Sequence, residues 1–184
     1  MITIELITRG EKTTENVLRS ISSQTFNSFD VVCVNSSGIK EISKLLSDYG
    51  VKEITANEST QLLQARYLAN LNSPKNPYTM ILDSTRTLEP NALEVLMSKY
   101  SKFSAVCVRE GSEGQGFWVE QAKKLKLLSE NSYEKVKNNF VAYLLPRFYK
   151  SNVLDNSFNF LKSNIPEELF VQIGYGEHNL IFED

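Results

Sequence analysis

The sequence is short of the residues that build metal centres and disulfide frameworks. It has two cysteines, Cys33 and Cys107, and one histidine, His178, in 184 residues. Both cysteines fall inside apolar, strand-like runs, where a thiol behaves as a small hydrophobe, so the reading is two buried free thiols. That count supports neither a disulfide framework nor a zinc site. Long apolar runs are missing too. None approaches the roughly 18–20 residues that cross a bilayer, so no transmembrane segment is expected. Neither sign of charge is in excess: 20 Lys and Arg stand against 22 Asp and Glu, a net charge of −2. This excludes the basic footprint of bulk nucleic-acid binding. The first residues, Met1-Ile-Thr-Ile-Glu5, lack the basic start of a signal peptide and read as a strand. No repeat, low-complexity tract or linker interrupts the chain. The expectation is a cytoplasmic protein of one domain, residues 1–184, large enough for a real core.

What is present alternates between strand and helix. Ile2–Thr8 reads as a strand. Thr13 or Thr14 can cap a helix with Val17, Leu18 and Ile21 on its apolar face. Phe29–Val34 is nearly all apolar, as a strand covered on both faces should be. Ile39, Ile42, Leu45, Leu46 and Tyr49 form a helical stripe that Gly50 stops. Val51–Thr55 is a short strand, and Leu62, Ala65, Leu68 and Ala69 mark another helix. A strand over Tyr78–Leu82 follows, then a helix turning Leu93, Leu96, Met97 and Tyr100 inward. This spacing predicts an α/β fold with a mostly parallel central sheet flanked by helices. The second half is less regular. Ala105–Val108 and Phe140–Leu145 read as strands, Lys123–Lys137 as a solvated segment, and Pro166 as the first turn of a short helix. The loop Gly111-Ser-Glu-Gly-Gln-Gly116 is flexible and is weak evidence for a phosphate cradle.

One stretch organises the rest: Tyr78-Thr-Met-Ile-Leu-Asp-Ser-Thr-Arg-Thr-Leu-Glu-Pro90. An apolar strand delivers one carboxylate, Asp83, where it ends. Ligands of open α/β sheets gather at the carboxyl ends of strands, which makes Asp83 a candidate nucleotide and metal residue.

The stretch resembles the strand–LDSDD–x–LxP segment of family 2 glycosyltransferases, which have the GT-A fold. The resemblance extends along the chain. Gln24-Thr-Phe-Asn-Ser-Phe-Asp-Val-Val-Cys-Val-Asn-Ser-Ser-Gly38 is similar to the family's QTYxxxEIIVVDDGS. Ala65-Arg66 stands where the family has AR, and Leu88-Glu89-Pro90 matches LEP. Ile165-Pro-Glu-Glu-Leu-Phe170 and Tyr175-Gly-Glu-His-Asn-Leu180 resemble FDExF and YGEDxDL. The resemblance implies a single GT-A (Rossmann-like) domain. It also implies a nucleotide-diphospho-sugar donor, a divalent metal (Mn2+ or Mg2+), an acceptor hydroxyl of unknown identity, and inverting transfer. Many members add C-terminal helices, and the expectation here is a short form without them.

The departures fall on the chemistry. The second acid of the metal motif is Thr85, followed by the cation Arg86. The aspartates that hold the nucleoside correspond to Asn35 and Ser36, which can hydrogen-bond without charge. The acid that serves as base corresponds to His178, with Glu177 beside it. Asp83 is the expected metal ligand. Arg86 can bind the diphosphate through a charge-assisted fork, in place of the metal or beside it; otherwise it is a solvated loop residue. His178, with an unperturbed pKa near 6.5, can accept the acceptor's proton; otherwise it is an exposed histidine. Thr8 and Arg9 occupy the loop that touches the nucleobase, and Arg66 either approaches the nucleotide or is a surface cation. Trp118 either stacks on an acceptor sugar or packs in the core or at an edge. A competing class is a GT-A-like nucleotide-binding or interaction protein without catalysis. Nucleotidyl transfer would want a Gly-rich loop after the first strand, which Ile7-Thr-Arg-Gly10 does not supply.

Overall fold

A computed structural model gives the fold of residues 1–108, 110–112, 114–135 and 146–167. The strands are β1 (Ile2–Thr8), β2 (Phe29–Asn35), β3 (Lys52–Thr55), β4 (Tyr78–Asp83), β5 (Ala105–Cys107) and β6 (Pro146–Lys150). They form one sheet in the order β3-β2-β1-β4-β6-β5. The first four strands are parallel, and β6 runs antiparallel to both β4 and β5. The fold is therefore α/β with a mostly parallel sheet, as the alternation predicts.

The strand alternation sorts two cores. Ile2, Ile4, Leu6, Cys33, Met80, Leu82 and Phe148 point to one face. There they meet α1 (Thr14–Ser22), α2 (Lys40–Asp48) and α4 (Ala92–Val95), which runs on into a π-helical turn, Leu96–Tyr100. Val34, Ile81 and Tyr149 point to the other face, against α3 (Leu62–Asn72) and α6 (Ser151–Asn164). Burying a Leu, Ile or Phe side chain contributes about 1.5–3 kcal/mol each, so these two faces hold the sheet between its helices.

Several local expectations change. Thr13 stands at the N-cap position of α1 without capping it; its hydroxyl donates to the Ser84 carbonyl instead. Gly50 does stop α2 as expected, in the left-handed region at φ 66°. Tyr100 is exposed rather than inward, because the π-turn rotates it off the face that Leu93 and Leu96 bury. Cys33 is buried, but Cys107 is exposed at the end of edge strand β5. Lys123–Lys135 lies within a 19-residue helix, α5 (Phe117–Lys135), whose Lys123, Lys124, Leu125, Leu127 and Leu128 are exposed, in keeping with the solvated reading. The expected strand Phe140–Leu145 lies outside the described residues; β6 starts at Pro146. Pro166 follows α6, and the helix expected after it lies almost wholly outside them. Among the described residues no helix is long and apolar enough to cross a membrane.

Candidate functional site

The connections of β1 lead to β2 and β3 on one side, while β4 lies on its other side. Strand order reverses there, and such switch points open a crevice at the carboxyl ends of the strands. In register, Ile7 of β1 stands beside Asp83 of β4.

The β1 loop is tied to the β4 loop by Glu11. Its Oε2 accepts from the Ser84 hydroxyl at 2.5 Å, from the Arg9 backbone N–H at 2.9 Å and from the Thr8 hydroxyl at 3.0 Å. Burial pushes the Glu11 carboxyl up, but these hydrogen bonds outweigh it and hold the acid below its ordinary range. Ser84 also donates its N–H to the Ile7 carbonyl. The turn that carries Asp83 is thus fixed from three directions. Gly10 permits the close approach of the β1 and β2 loops: at φ 87° it is left-handed, and a Cβ there would meet Ile39 Cδ1 at 2.7 Å.

Asp83 ends β4 between two guanidiniums. Arg66 Nη2 on α3 reaches Oδ1 at 2.6 Å, and Arg147 Nη1 on β6 reaches Oδ2 at 3.1 Å. Arg147 Nε continues to Glu110 Oε1 at 3.1 Å, and Glu110 Oε2 meets Arg86 Nη1 at 3.0 Å. Among the described residues, three guanidiniums therefore meet two carboxylates in one chain of ion pairs. Arg66 and Arg147 are almost wholly buried, with side chains 2% and 6% exposed. Burial raises the Asp83 carboxyl, but Arg66, Arg147 and Arg86 outweigh it and hold the group below the ordinary carboxylate range.

Among the described residues, two cavities flank this turn and share Thr85. One, about 390 Å³, opens over the ends of β1 and β2 and is lined by Thr8, Arg9, Ser36, Gln61 and Asp83. The other, about 560 Å³, lies toward β5 and β6 and is lined by Thr13, Asn16, Arg86, Glu110, Ser112 and Arg147.

Thr8, Arg9, Ser36 and Asp83 are thus brought to one cavity, and Arg86 to its neighbour. Arg9 Nη2 donates to the Thr60 carbonyl at 2.7 Å, across the mouth of the first cavity. Arg66 is a buried partner of Asp83 and not a surface cation. Asn35 is drawn aside: its Nδ2 donates to Glu53 Oε1 at 2.7 Å, and its Oδ1 accepts from Ser37. Trp118 is 80% exposed, edge-on to Phe117, which removes the core and edge-packing readings. His178 and Glu177 lie outside the described residues. Glu11, Glu110 and Arg147 were not expected. Glu11 stands three residues after the end of the first strand, a position that could have drawn notice. Glu110 and Arg147 fall in no motif.

No protein-family model matches the sequence, and no curated protein matches it. Solved structures match the fold. A structure of S. aureus TarS superposes with a TM-score of 0.69 at 17% identity, covering 98% of this chain and 32% of that one. Mannosyltransferase PcManGT from Pyrobaculum calidifontis, in complex with GDP-Man and Mn2+, gives 0.58 at 15%, covering 84% and 46%. The 4-diphosphocytidyl-2C-methyl-D-erythritol synthase from Anaerococcus prevotii gives 0.60 at 11%, covering 91% and 77%. The fold is GT-A-like. The chain spans about a third of that TarS chain and about half of PcManGT, and at these identities the likeness is one of fold.

The donor set can be tested against a divalent ion. Among the described residues no group of three or more His, Cys, Asp or Glu side chains converges as metal ligands. Thr85 stands two residues after Asp83 in place of a second acid, and both Asp83 oxygens face guanidiniums. Magnesium and manganese sites need carboxylate oxygens free to coordinate. The described residues as arranged do not fit a protein-held ion at Asp83.

Proposed function

We propose that this chain binds a nucleotide-diphospho-sugar and transfers the sugar, with inversion, to an acceptor hydroxyl. The observation that carries the reading is the guanidinium chain on Asp83, set at the switch point between two cavities. In this reading Thr8, Arg9 and Ser36 receive the nucleoside. Arg86 takes the diphosphate, and the sugar extends into the larger cavity. The acceptor oxygen attacks the anomeric carbon as the bond to the diphosphate oxygen breaks. The acceptor's proton passes to His178 or Glu177, and the departing diphosphate's charge is met by the arginines. The family's divalent ion would supply the same neutralisation; on this chain Asp83 would have to release an arginine to ligate it.

Donor hydrolysis and transfer, measured over a panel of nucleotide sugars with and without Mn2+, test the reading. The expected result is turnover of at least one donor. Donor binding without turnover would favour a binding protein that has lost catalysis, the reading that Thr85, Asn35 and His178 support by replacing acids of the resemblance. The bases are separated by pH. A histidine base loses rate on acidification through its pKa, whereas a carboxylate base keeps rate to lower pH unless burial raises it. His178→Ala should reduce turnover far more than donor binding. Nucleotidyl transfer is the third reading, since synthases of that kind share the fold. The β1 loop offers it one glycine, Gly10.

A further inference from the structure

We propose that Arg147, held in place by Asp83 and Glu110 and acting with Arg86, forms a metal-independent diphosphate clamp. Asp83 is then a positioning residue for guanidiniums and not a metal ligand. This rests on the nucleotide-sugar reading above and specifies how that site meets phosphate charge.

Three independent observations converge on Arg147. The first is backbone geometry. Val106 pairs with Phe148 and Cys107 with Pro146, so Arg147 is the extra residue of a β-bulge. Bulges release a residue from the ladder and re-aim its side chain, and they recur beside binding sites. The second is burial: Arg147 is 94% buried by side chain yet lines the larger cavity. The third is unspent donor capacity. Among the described residues, Arg147 Nη1, though ion-paired with Asp83 Oδ2 at 3.1 Å, makes no aligned hydrogen bond, and Arg86 Nε makes none either. A buried donor without a partner costs about 1–3 kcal/mol, and an arriving phosphate oxygen would relieve that cost. Guanidiniums suit phosphate because the planar fork gives two parallel N–H···O bonds. Glu110 now neutralises both arginines from the cavity wall, so it competes with an incoming anion.

Calorimetry with UDP, GDP and inorganic pyrophosphate, each in EDTA and in Mn2+, tests the clamp. Binding of a nucleoside diphosphate and of pyrophosphate in EDTA is expected. Arg147→Gln should weaken both by roughly 10- to 100-fold, the size of one charged hydrogen-bond pair, and Arg147→Lys should fail to restore them. Glu110→Gln should tighten both by roughly two- to fivefold, the scale of a partly exposed ion pair. A purely structural Glu110 would not sharpen anion binding. Arg86→Gln, at a half-exposed position, keeps the test open if Arg147→Gln does not fold. Binding that appears only with Mn2+ and is unchanged in Arg86→Gln and Glu110→Gln overturns the clamp and leaves the nucleotide reading standing. No binding of any nucleoside diphosphate overturns both.

Discussion

Glu5 offers a perturbation whose size can be worked from the structure. It sits mid-strand in β1 on the face that α3 covers, 2% exposed. Among the described residues its Oε2 has no hydrogen-bond partner, and Asn70 Nδ2 reaches Oε1 only at 3.5 Å. Burial pushes its carboxyl from 4.5 to about 7, with Ser73, Arg66, Asn70 and Lys75 pulling it back only in part. The folded state therefore binds this proton more tightly than the unfolded chain does. The linked stability is fully present below about pH 4.5 and is lost as pH rises through about 7. At 1.36 kcal/mol per unit the loss is about 3 kcal/mol. Glu5→Gln keeps the shape and removes the charge. Urea unfolding of both proteins from pH 4.5 to pH 8 should give nearly equal stability at the acid end. The variant should gain progressively to about 3 kcal/mol at the basic end. A difference that stays constant with pH, or a variant less stable at pH 8, would refute the reasoning.

Asp83→Asn should be destabilising by about 3–5 kcal/mol at neutral pH, because two buried guanidiniums lose their shared counter-charge. Asp83 has a depressed pKa, so its contribution is present above the unfolded carboxylate range and lost as pH falls through the folded value. The gap between wild type and variant should accordingly close in acid, as denaturant midpoints would record. Glu11→Gln should cost about 1–3 kcal/mol by weakening the tie between the β1 and β4 loops, readable as a lower unfolding midpoint. A thiol reagent should modify Cys107 in the native protein and reach Cys33 only on unfolding, since Cys33 is buried and its thiol is pushed up by that burial. Mass spectrometry of the labelled peptides distinguishes the two.

In the parallel half of the sheet β2 and β4 were legible because they are rich in apolar residues and end on polar ones. Composition alone therefore marks Phe29–Val34 and Tyr78–Leu82 as covered on both faces. The antiparallel edge was not. Pro146-Arg-Phe-Tyr-Lys150 has a proline and two cations, and its role as a strand depends on β4 and β5 lying beside it. Nor was α6 anticipated: only Ser151, Leu154, Phe158 and Leu161 of its residues are buried, a narrow stripe. At the site, Asp83 was readable from its place at a strand end. The arginines were only partly so. Arg66 sits on a helix whose apolar pattern does not reveal that a cation shares its buried face, and that placement follows from Asp83 waiting across the interface. Arg147 owes its position to a bulge, a feature of pairing and not of local sequence. Asn35 shows the reverse: its place at the end of β2 pointed to a ligand, but Glu53 on the neighbouring strand captures its amide.

The most direct test of the account is a crystal structure of the protein soaked with a nucleoside diphosphate, once in EDTA and once in Mn2+. The nucleoside is expected in the cavity of Thr8, Arg9 and Ser36. The diphosphate is expected against Arg86 and Arg147 in both soaks, with Asp83 still between its two arginines. A nucleotide bound away from the ends of β1 and β4, or a diphosphate that enters only with a Mn2+ ion seated on Asp83, would contradict it.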